Sequence, residues 1–188
     1  MLCVRNEKGG QLAVECMKKG DVCVLPTDTV YGFSGIVGGT LDCAQKIRHL
    51  KGRKEEKPFI RLISEVKDIF SFTSAKIPSR VLDLWPCALT LIVKTPSQEN
   101  PLCETAFRCP DDDWLREVIR GVGFPIYSTS ANKSGEPILF SAAEIAKIFP
   151  QVPLIVDGGE KKNEKPSTIV RVLENSEIQI IRQGAIVV

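Results

Sequence analysis

Short apolar segments alternate with amphipathic segments along this chain, and this alternation restricts its fold more than any other feature. Residues 22–25 and 88–93 are apolar runs of strand length, whereas Ala44, Ile47 and Leu50 stand at helical spacing. Strands are predicted at 22–25, 59–63, 88–93, 105–109, 125–128, 154–156, 168–173 and 177–181, and helices at 10–19, 41–50, 64–70, 78–85, 114–120 and 142–148. This order predicts an α/β fold: a twisted open mixed sheet with flanking helices.

The length of 188 residues predicts a single domain, 1–188, that buries a core without disulfides or metals. Hydrophobic residues make up 43% and charged residues 26%, which excludes collagen, a disordered tail and a coiled coil. No apolar run approaches the roughly 20 residues of a membrane helix, and the N-terminus lacks the apolar centre of a signal peptide. We therefore expect a cytoplasmic protein with no membrane partner.

Charge and cysteine usage exclude several kinds of site. A formal net charge of +2 gives no indication of histone-like binding to nucleic acid. Seven cysteines, an odd number without Cys-x-x-Cys spacing, argue against a disulfide framework and a structural zinc site. Because His49 is the one histidine, a histidine-based metal site and a Ser-His-Asp triad are also disfavoured.

Two polar segments directly follow predicted strands, at residues 26–32 and 128–135. Ligands of α/β sheets bind outside the carboxyl ends of strands, so hydroxyl and amide side chains placed there can meet a small polar substrate. The alternative is a turn that only satisfies its own backbone, as Thr, Asp, Ser and Asn often do. Sequence alone leaves both interpretations open.

Basic side chains cluster at the end of the helix predicted at 41–50. Lys51 and Arg53 flank a glycine, and Lys57 follows them closely. Cations at a helix C-terminus complement the helix dipole, which is one explanation. The other is that the glycine lets two cations approach one anion, as a triphosphate requires. The chain has no P-loop, so any ATP would be held by an unrelated cradle.

Eight short motifs extend over nearly the whole chain, from about residue 10 to 187. They are Pro26-Thr-Asp-Thr-Val-Tyr-Gly32, Lys51-Gly-Arg53 with Lys57-Pro58, Trp85-Pro86 with Leu89-Thr90, Arg108-Cys-Pro110, Ser130-Ala-Asn132 with Ser134-Gly135, Asp157-Gly-Gly159, Pro166-Ser-Thr168 and Arg182-Gln-Gly184. In this order they resemble the YrdC-type threonylcarbamoyl-AMP synthases, in their single-domain form. Each motif is weak alone, but eight in register make a specific match.

The resemblance implies a YrdC-like domain with a positively lined concave surface. It also implies an enzyme, a nucleotidyltransferase that joins L-threonine, bicarbonate and ATP into threonylcarbamoyl-AMP and releases pyrophosphate. A separate tRNA threonylcarbamoyl-transfer complex would then modify the adenosine beside the anticodon. Mg²⁺ would arrive with ATP, with no metal site assigned to the protein itself.

The resemblance also assigns the site residues. Those implied for the threonine are Thr29, Arg108, Ser128 and Ser167, and those implied for ATP are Lys51, Arg53, Lys57, Ser130, Asn132 and Arg182. Lys51 and Arg53, together with Mg²⁺, would act catalytically by neutralising charge on the triphosphate and the leaving pyrophosphate. No side chain is expected to act as a nucleophile.

Two interpretations other than the synthase are open, and departures from the family pattern bear on the first of them. Cys87 and Ala88 replace the Gly-Pro that usually follows Trp-Pro, and Leu62 stands where some members have histidine. These departures bear on the amino-acid specificity and are compatible with a YciO-like paralogue of altered or lost activity. A third interpretation is an RNA-binding module, although aromatic residues for base stacking are few, at 6%. A weak tRNA contact and closure of a loop at 158–165 are further possibilities.

Overall fold

The structure is a computed structural model that describes residues 1–53, 58–96, 103–161 and 165–188. Within these ranges the chain forms ten β-strands, five α-helices and two short 3-10 helices. The strands are β1 (Leu2–Val4), β2 (Cys23–Leu25), β3 (Gly32–Ile36), β4 (Ile60–Leu62), β5 (Leu89–Thr95), β6 (Cys103–Arg108), β7 (Ile126–Ser130), β8 (Leu154–Asp157), β9 (Thr168–Val172) and β10 (Ile178–Arg182). The helices are α1 (Glu7–Lys18), α2 (Ala44–Lys51), α3 (Ser79–Leu82), α4 (Asp113–Val122) and α5 (Ala142–Ile148), with 3-10 helices at Gly39–Leu41 and Val66–Ser71.

All the strands of these ranges belong to one mixed sheet. Its order is β1-β8-β2-β3-β7-β4-β6-β5-β9-β10. Strand β8 pairs in parallel with β1 and β2, and parallel pairs also join β4 to β6 and β5 to β9. The remaining neighbours, among them both partners of the central strand β7, are antiparallel. The predicted α/β class with an open mixed sheet is confirmed.

Helices cover both faces of the sheet, and β2 is buried between them. Because side chains alternate along a strand, Val24 packs with Ile47 of α2 and Ile145 of α5, while Leu25 packs with Leu115 of α4 on the opposite face. A third core cluster, around Leu91, Phe107 and Val170, covers the half of the sheet that contains β5, β6 and β9. Among the described residues no helix is long and apolar enough to cross a membrane.

Three helices begin where the sequence supplies a side-chain cap. Asn6, Asp112 and Ser141 accept hydrogen bonds from the backbone N–H three residues ahead, at the first turns of α1, α4 and α5. Helix α5 has the predicted bounds, 142–148, because its cap and its apolar spacing agree. The sequence predicts the starts of α4 and α5 well, whereas α1 begins at Glu7, three residues before the predicted 10–19.

Two strands were missed by the sequence analysis. Strand β3 contains Gly32 and Gly35, so it lacks the alternation of large apolar side chains that reveals a strand, yet every residue in it is buried. Strand β1 is short, at the edge of the sheet, with Leu2 and Val4 exposed. Strand β1 depends on the distant β8, and β3 lies between β2 and the distant β7, and local patterns do not contain these long-range pairings.

Three predicted helices also need correction. The helix predicted at 41–50 is split into the 3-10 turn Gly39–Leu41 and α2, because Asp42 binds the backbone N–H of Gly38 and Ala44 between them. The helix predicted at 64–70 is the 3-10 helix Val66–Ser71, and the one predicted at 78–85 is reduced to α3. Of the loop predicted at 158–165, residues 162–164 lie outside the described ranges.

We expect Gly35→Ala to destabilise the protein, because a Cβ there would lie 2.5 Å from Cys43 Cβ and 2.8 Å from its Sγ. Overpacking of this kind costs about 1–3 kcal/mol, or roughly 3–10 °C in melting temperature for a domain of this size. Gly10→Ala is the control, since its Cβ would meet nothing nearer than 3.3 Å. Equal melting temperatures of the two variants would contradict this account of how β3 and α2 approach each other.

Candidate active site

Arg108, the last residue of β6, is a buried cation held by the loop between β2 and β3. Its Nη1 donates a hydrogen bond of 3.1 Å to Thr29 Oγ1, and its Nη2 lies 3.1 Å from Asp28 Oδ1. The side chains of Arg108 and Asp28 are 4% and 7% exposed. A buried charge is stable only when it is paired and hydrogen-bonded. The ion pair therefore explains how β6 can end on an arginine inside the fold.

Thr27 fixes the turn that carries Asp28 and Thr29. Its Oγ1 accepts hydrogen bonds from the backbone N–H of Thr29 and Val30, over 3.1 and 3.2 Å, and donates one of 2.8 Å to the carbonyl of Val30. Thr27 thus has the turn-forming role that was the alternative for this segment. Thr29 belongs to the same turn, but its hydroxyl accepts a hydrogen bond from Arg108.

Tyr31 ties this loop to the turn after β8. Its hydroxyl donates to the carbonyl of Gly159 over 2.7 Å and accepts from the backbone N–H of Gly158 over 2.9 Å. Burial raises the pKa of Tyr31 to about 12, so the hydroxyl remains a donor. A Cβ on Gly158 would lie 2.7 Å from Pro26, so the close approach requires glycine. The sequence analysis assigned no role to Tyr31 or to Asp157-Gly-Gly159, although both stand in the quoted motifs.

Ser167 lies between Thr90 and Arg182. Its hydroxyl is 2.9 Å from Thr90 Oγ1, and Arg182 donates to the Ser167 carbonyl from both Nε (3.1 Å) and Nη2 (2.7 Å). Burial, followed by the charge of Arg108, lowers the pKa of Arg182. The two guanidinium groups are therefore electrostatic neighbours. The structure brings Arg182 to Ser167, on the side implied for threonine, although the resemblance assigned it to ATP.

Lys51 joins the end of α2 to the end of β7. Its Nζ donates to the carbonyls of Ser130 (2.6 Å) and Asn132 (2.9 Å) and to Asn132 Oδ1 (3.2 Å). Ser130 Oγ donates to Asn132 Oδ1 over 2.5 Å, and Asn132 Nδ2 donates to the carbonyl of Glu136 over 2.6 Å. Three of the residues implied for ATP thus form one hydrogen-bonded group.

All three N–H donors of the Lys51 ammonium point to protein acceptors. Lys51 is 5% exposed, and burial, with a smaller contribution from Arg53, lowers its pKa to about 8. With this geometry Lys51 holds the loop that follows β7 in place and supplies positive charge.

Arg53 follows the helix end and is partly exposed. Gly52 caps α2 in the left-handed conformation, with φ of 59°, and thereby separates Arg53 from Lys51. The Arg53 guanidinium lies over the Phe59 ring, 5.3 Å from its centroid, and this contact restrains its position. Lys57 lies outside the described residues.

Ser128 belongs to the central strand β7. It pairs with Ser34 of β3 on one side and with Ile60 of β4 on the other, and it is 7% exposed. From β4 the sheet continues to β6, where Leu62 pairs with Arg108. The sheet therefore connects Arg108 and its partners, at the end of β6, to Lys51 and its partners, at the end of β7. The connection runs through two strand pairings, β6 with β4 and β4 with β7.

A cavity of about 520 Å³ opens beside the Arg108–Asp28 pair. Cys87 and Ala88, two of the departures from the family pattern, line it together with Asp28 and Asp111. Burial raises the pKa of Cys87 to about 11, so its thiol is neutral near pH 7. Leu62, the third departure, is instead fully buried in the core beside α4. Four aspartates line this cavity together with Arg5 and Lys161, so the positively lined surface stays a prediction.

Comparison with known proteins fits this arrangement. The family model for Sua5, YciO and YrdC, described as "Telomere recombination", matches residues 15–184. The chain belongs to this family. It is 31% identical to the threonylcarbamoyl-AMP synthase of Rattus norvegicus, over 92% of this chain and 65% of that protein. The chain thus spans about two thirds of the length of this curated relative.

Solved structures of the family have the same fold. A crystal structure of P. abyssi Sua5 complexed with L-threonine is 28% identical, with a TM-score of 0.84 over 98% of this chain and 57% of that one. E. coli YciO has a TM-score of 0.83 over 98% of this chain and 95% of its own, at 22% identity, which shows the fold alone. Fold therefore does not distinguish the synthase from the YciO-like interpretation.

We expect the affinity for ATP to fall as the pH rises through about 8, because the buried Lys51 ammonium then loses its charge. ATP binds the protonated form better, so its Kd increases above the pKa of the free protein. Lys51→Arg keeps its charge at all these pH values and should flatten the profile. Isothermal titration between about pH 7.5 and 9.5, where the nucleotide charge is constant, measures this. If the Kd for ATP depends on pH in the same way in the wild-type protein and in Lys51→Arg, the titration of Lys51 is contradicted.

Proposed function

We propose that this protein synthesises threonylcarbamoyl-AMP from L-threonine, bicarbonate and ATP, with release of pyrophosphate. One observation carries the proposal: a buried arginine, Arg108, donates to Thr29 and pairs with Asp28, which lines an open cavity, while a second cationic group, Lys51 and Arg53, stands near the end of β7, two strands away in the sheet. The first group suits an amino-acid carboxylate, and the second suits a triphosphate. The name of the rat relative and the threonine in the Sua5 structure support the proposed reaction.

The amino-acid half of the site consists of Thr29, Arg108, Ser128 and Ser167. Arg108 would hold the threonine carboxylate through its fork of N–H donors, and the hydroxyls would bind the remaining polar atoms. Arg182 joins this half, because it is hydrogen-bonded to Ser167. Its charge adds to that of Arg108 where the substrate carboxylate and the new carbamate bring two negative charges.

The nucleotide half consists of Arg53, Ser130 and Asn132, with Lys51 behind them and Lys57 as a further proposed ligand. Arg53 is the group placed to meet the phosphates, since the donors of Lys51 are used within the protein. Mg²⁺ enters this proposal with ATP as part of the substrate. Within the described residues there is no group of three or more His, Cys, Asp or Glu side chains that would hold a metal.

The reaction needs no protein nucleophile. The threonine amine attacks bicarbonate, a C–N bond forms, and hydroxide leaves with the amine proton as one water molecule to give the carbamate. A carbamate oxygen then attacks the α-phosphorus of ATP, and the bond from that phosphorus to the bridging oxygen breaks to release pyrophosphate. The chain contributes orientation of the two substrates and neutralisation of the developing charge. A separate tRNA threonylcarbamoyl-transfer complex would consume the product next to the anticodon.

The test is to incubate the purified protein with ATP, Mg²⁺, bicarbonate and L-threonine and to detect threonylcarbamoyl-AMP by mass spectrometry. We expect a product that requires threonine, and a loss of rate of about 100-fold or more in Arg53→Ala and in Arg108→Ala. Arg80→Ala, an exposed arginine of α3, is the matched control and should keep full activity.

Absence of product from wild-type protein that still binds ATP would contradict the proposal and favour the YciO-like interpretation. Full activity of Arg53→Ala would contradict the assignment of the phosphate ligand and leave the reaction itself intact. RNA binding that survives loss of both arginines would favour the RNA-binding module.

A further inference from the structure

The ion pair between Asp28 and Arg108 is buried, close and incompletely hydrogen-bonded. Oδ1 of Asp28 is 3.1 Å from Nη2 of Arg108, yet among the described residues neither Oδ1 nor the Arg108 Nε has a hydrogen-bond partner. A fork-to-fork pair would use two N–H donors of the guanidinium. Here the carboxylate lies at ion-pair distance without that alignment. It compensates the charge and leaves N–H donors uncommitted.

Asp28 is itself held in place. Its Oδ2 accepts a hydrogen bond of 3.2 Å from the backbone N–H of Asp111, and its backbone belongs to the turn that Thr27 fixes. Thr29, the next residue, accepts the hydrogen bond from Arg108 Nη1. Two consecutive residues of one rigid turn therefore determine where the guanidinium lies. Asp28 lines the cavity of about 520 Å³, and Arg108, which does not line it, contacts Asp28 and Thr29 beside it.

Unsatisfied buried polar atoms are rare in folded proteins and call for an explanation. An isolated structural ion pair would gain by aligning its donors and acceptors, and the Arg108–Asp28 pair does not. The arrangement is explained if a second carboxylate, brought by the substrate, completes the hydrogen bonding of Arg108. Asp28 then has a function that the sequence analysis did not assign to it.

We propose that Asp28 is a positioning residue of the amino-acid site: its carboxylate compensates the buried charge of Arg108 and holds the guanidinium beside Thr29, with N–H donors left for the substrate carboxylate. The inference rests on the proposed function and deepens it by naming a determinant of threonine binding. Asp28 acts through Arg108 and does not contact the threonine. Its loss should therefore affect threonine and spare ATP.

Asp28→Asn tests this, because the amide keeps the size of the side chain and an acceptor for the N–H of Asp111 but removes the charge. We expect the KM for threonine to rise about tenfold or more, and the KM for ATP to stay within about twofold. Asp83→Asn is the control: the same change at an exposed aspartate outside the lining of the cavity. It should leave both constants unchanged.

A double-mutant cycle on threonine binding, read by NMR titration, separates positioning from contact. In Arg108→Met the guanidinium is gone, so adding Asp28→Asn should change the threonine Kd by less than about twofold. A further tenfold loss in that background would mean that Asp28 touches the substrate, which overturns the positioning role. An unchanged KM for threonine in Asp28→Asn would overturn it as well, while the proposed function would stand.

Asp28→Glu covers the case in which Asp28→Asn does not fold. It retains the charge and should keep the KM for threonine within about threefold, whereas a loss as large as that of Arg108→Met would overturn the proposal. Retained ATP binding shows that each variant is folded. Wild-type protein that neither binds nor uses threonine would overturn the proposed function, and this inference with it.

Discussion

The central strand β7 is the element on which the rest of the structure depends. It pairs antiparallel with β3 over five residues, from Gly32 opposite Ser130 to Ile36 opposite Ile126, and with β4 on its other edge. The register is tight at Gly32, where a Cβ would lie 3.0 Å from Ser128 Oγ. A slip by one residue would turn every side chain of β7 to the other face. Both halves of the site would then lose their shared support.

Buried cations are the second constraint, and the fold satisfies each of them differently. Lys51 is surrounded by carbonyl and amide oxygens at the end of β7, and Arg108 is compensated by a carboxylate. Each solution ties together elements that are distant in sequence. Since an unpaired buried charge is strongly unfavourable, these contacts hold the site in shape before any substrate arrives. The net charge of +2 gives no hint of this concentration.

The sequence predicted the parts of the fold that are decided locally. The cap of Ser141 and the spacing of α5 give its bounds, and the apolar run in β5 is visible without any partner. Strand β3 was missed, since its burial comes from β2 and β7 and not from its own glycine-rich pattern. The apolar spacing also did not reveal the break before α2, which depends on the side chain of Asp42.

The site, like the fold, was predicted only in part from the sequence. The resemblance to the family supplied the residues, and the structure brings Thr29 to Arg108 and Lys51 to Asn132, while the roles assigned to them stay predictions. The sequence did not show which hydrogen-bond donors of the site are already used within the protein. It did not indicate that the donors of Lys51 are used within the protein, or that Arg182 lies on Ser167. Those facts depend on distances between strands and loops, and they change the role that each cation is given.

The most direct test of this account is a crystal structure of the protein with L-threonine and a non-hydrolysable ATP analogue. The account predicts the threonine carboxylate within hydrogen-bond distance of the Arg108 guanidinium and the phosphates beside Arg53, with Lys51 still bound to the end of β7. Threonine elsewhere, for example in the apolar cavity of about 550 Å³ between α1 and α4, would contradict it. So would phosphates bound at Arg108, since the two halves of the site would then be wrongly assigned.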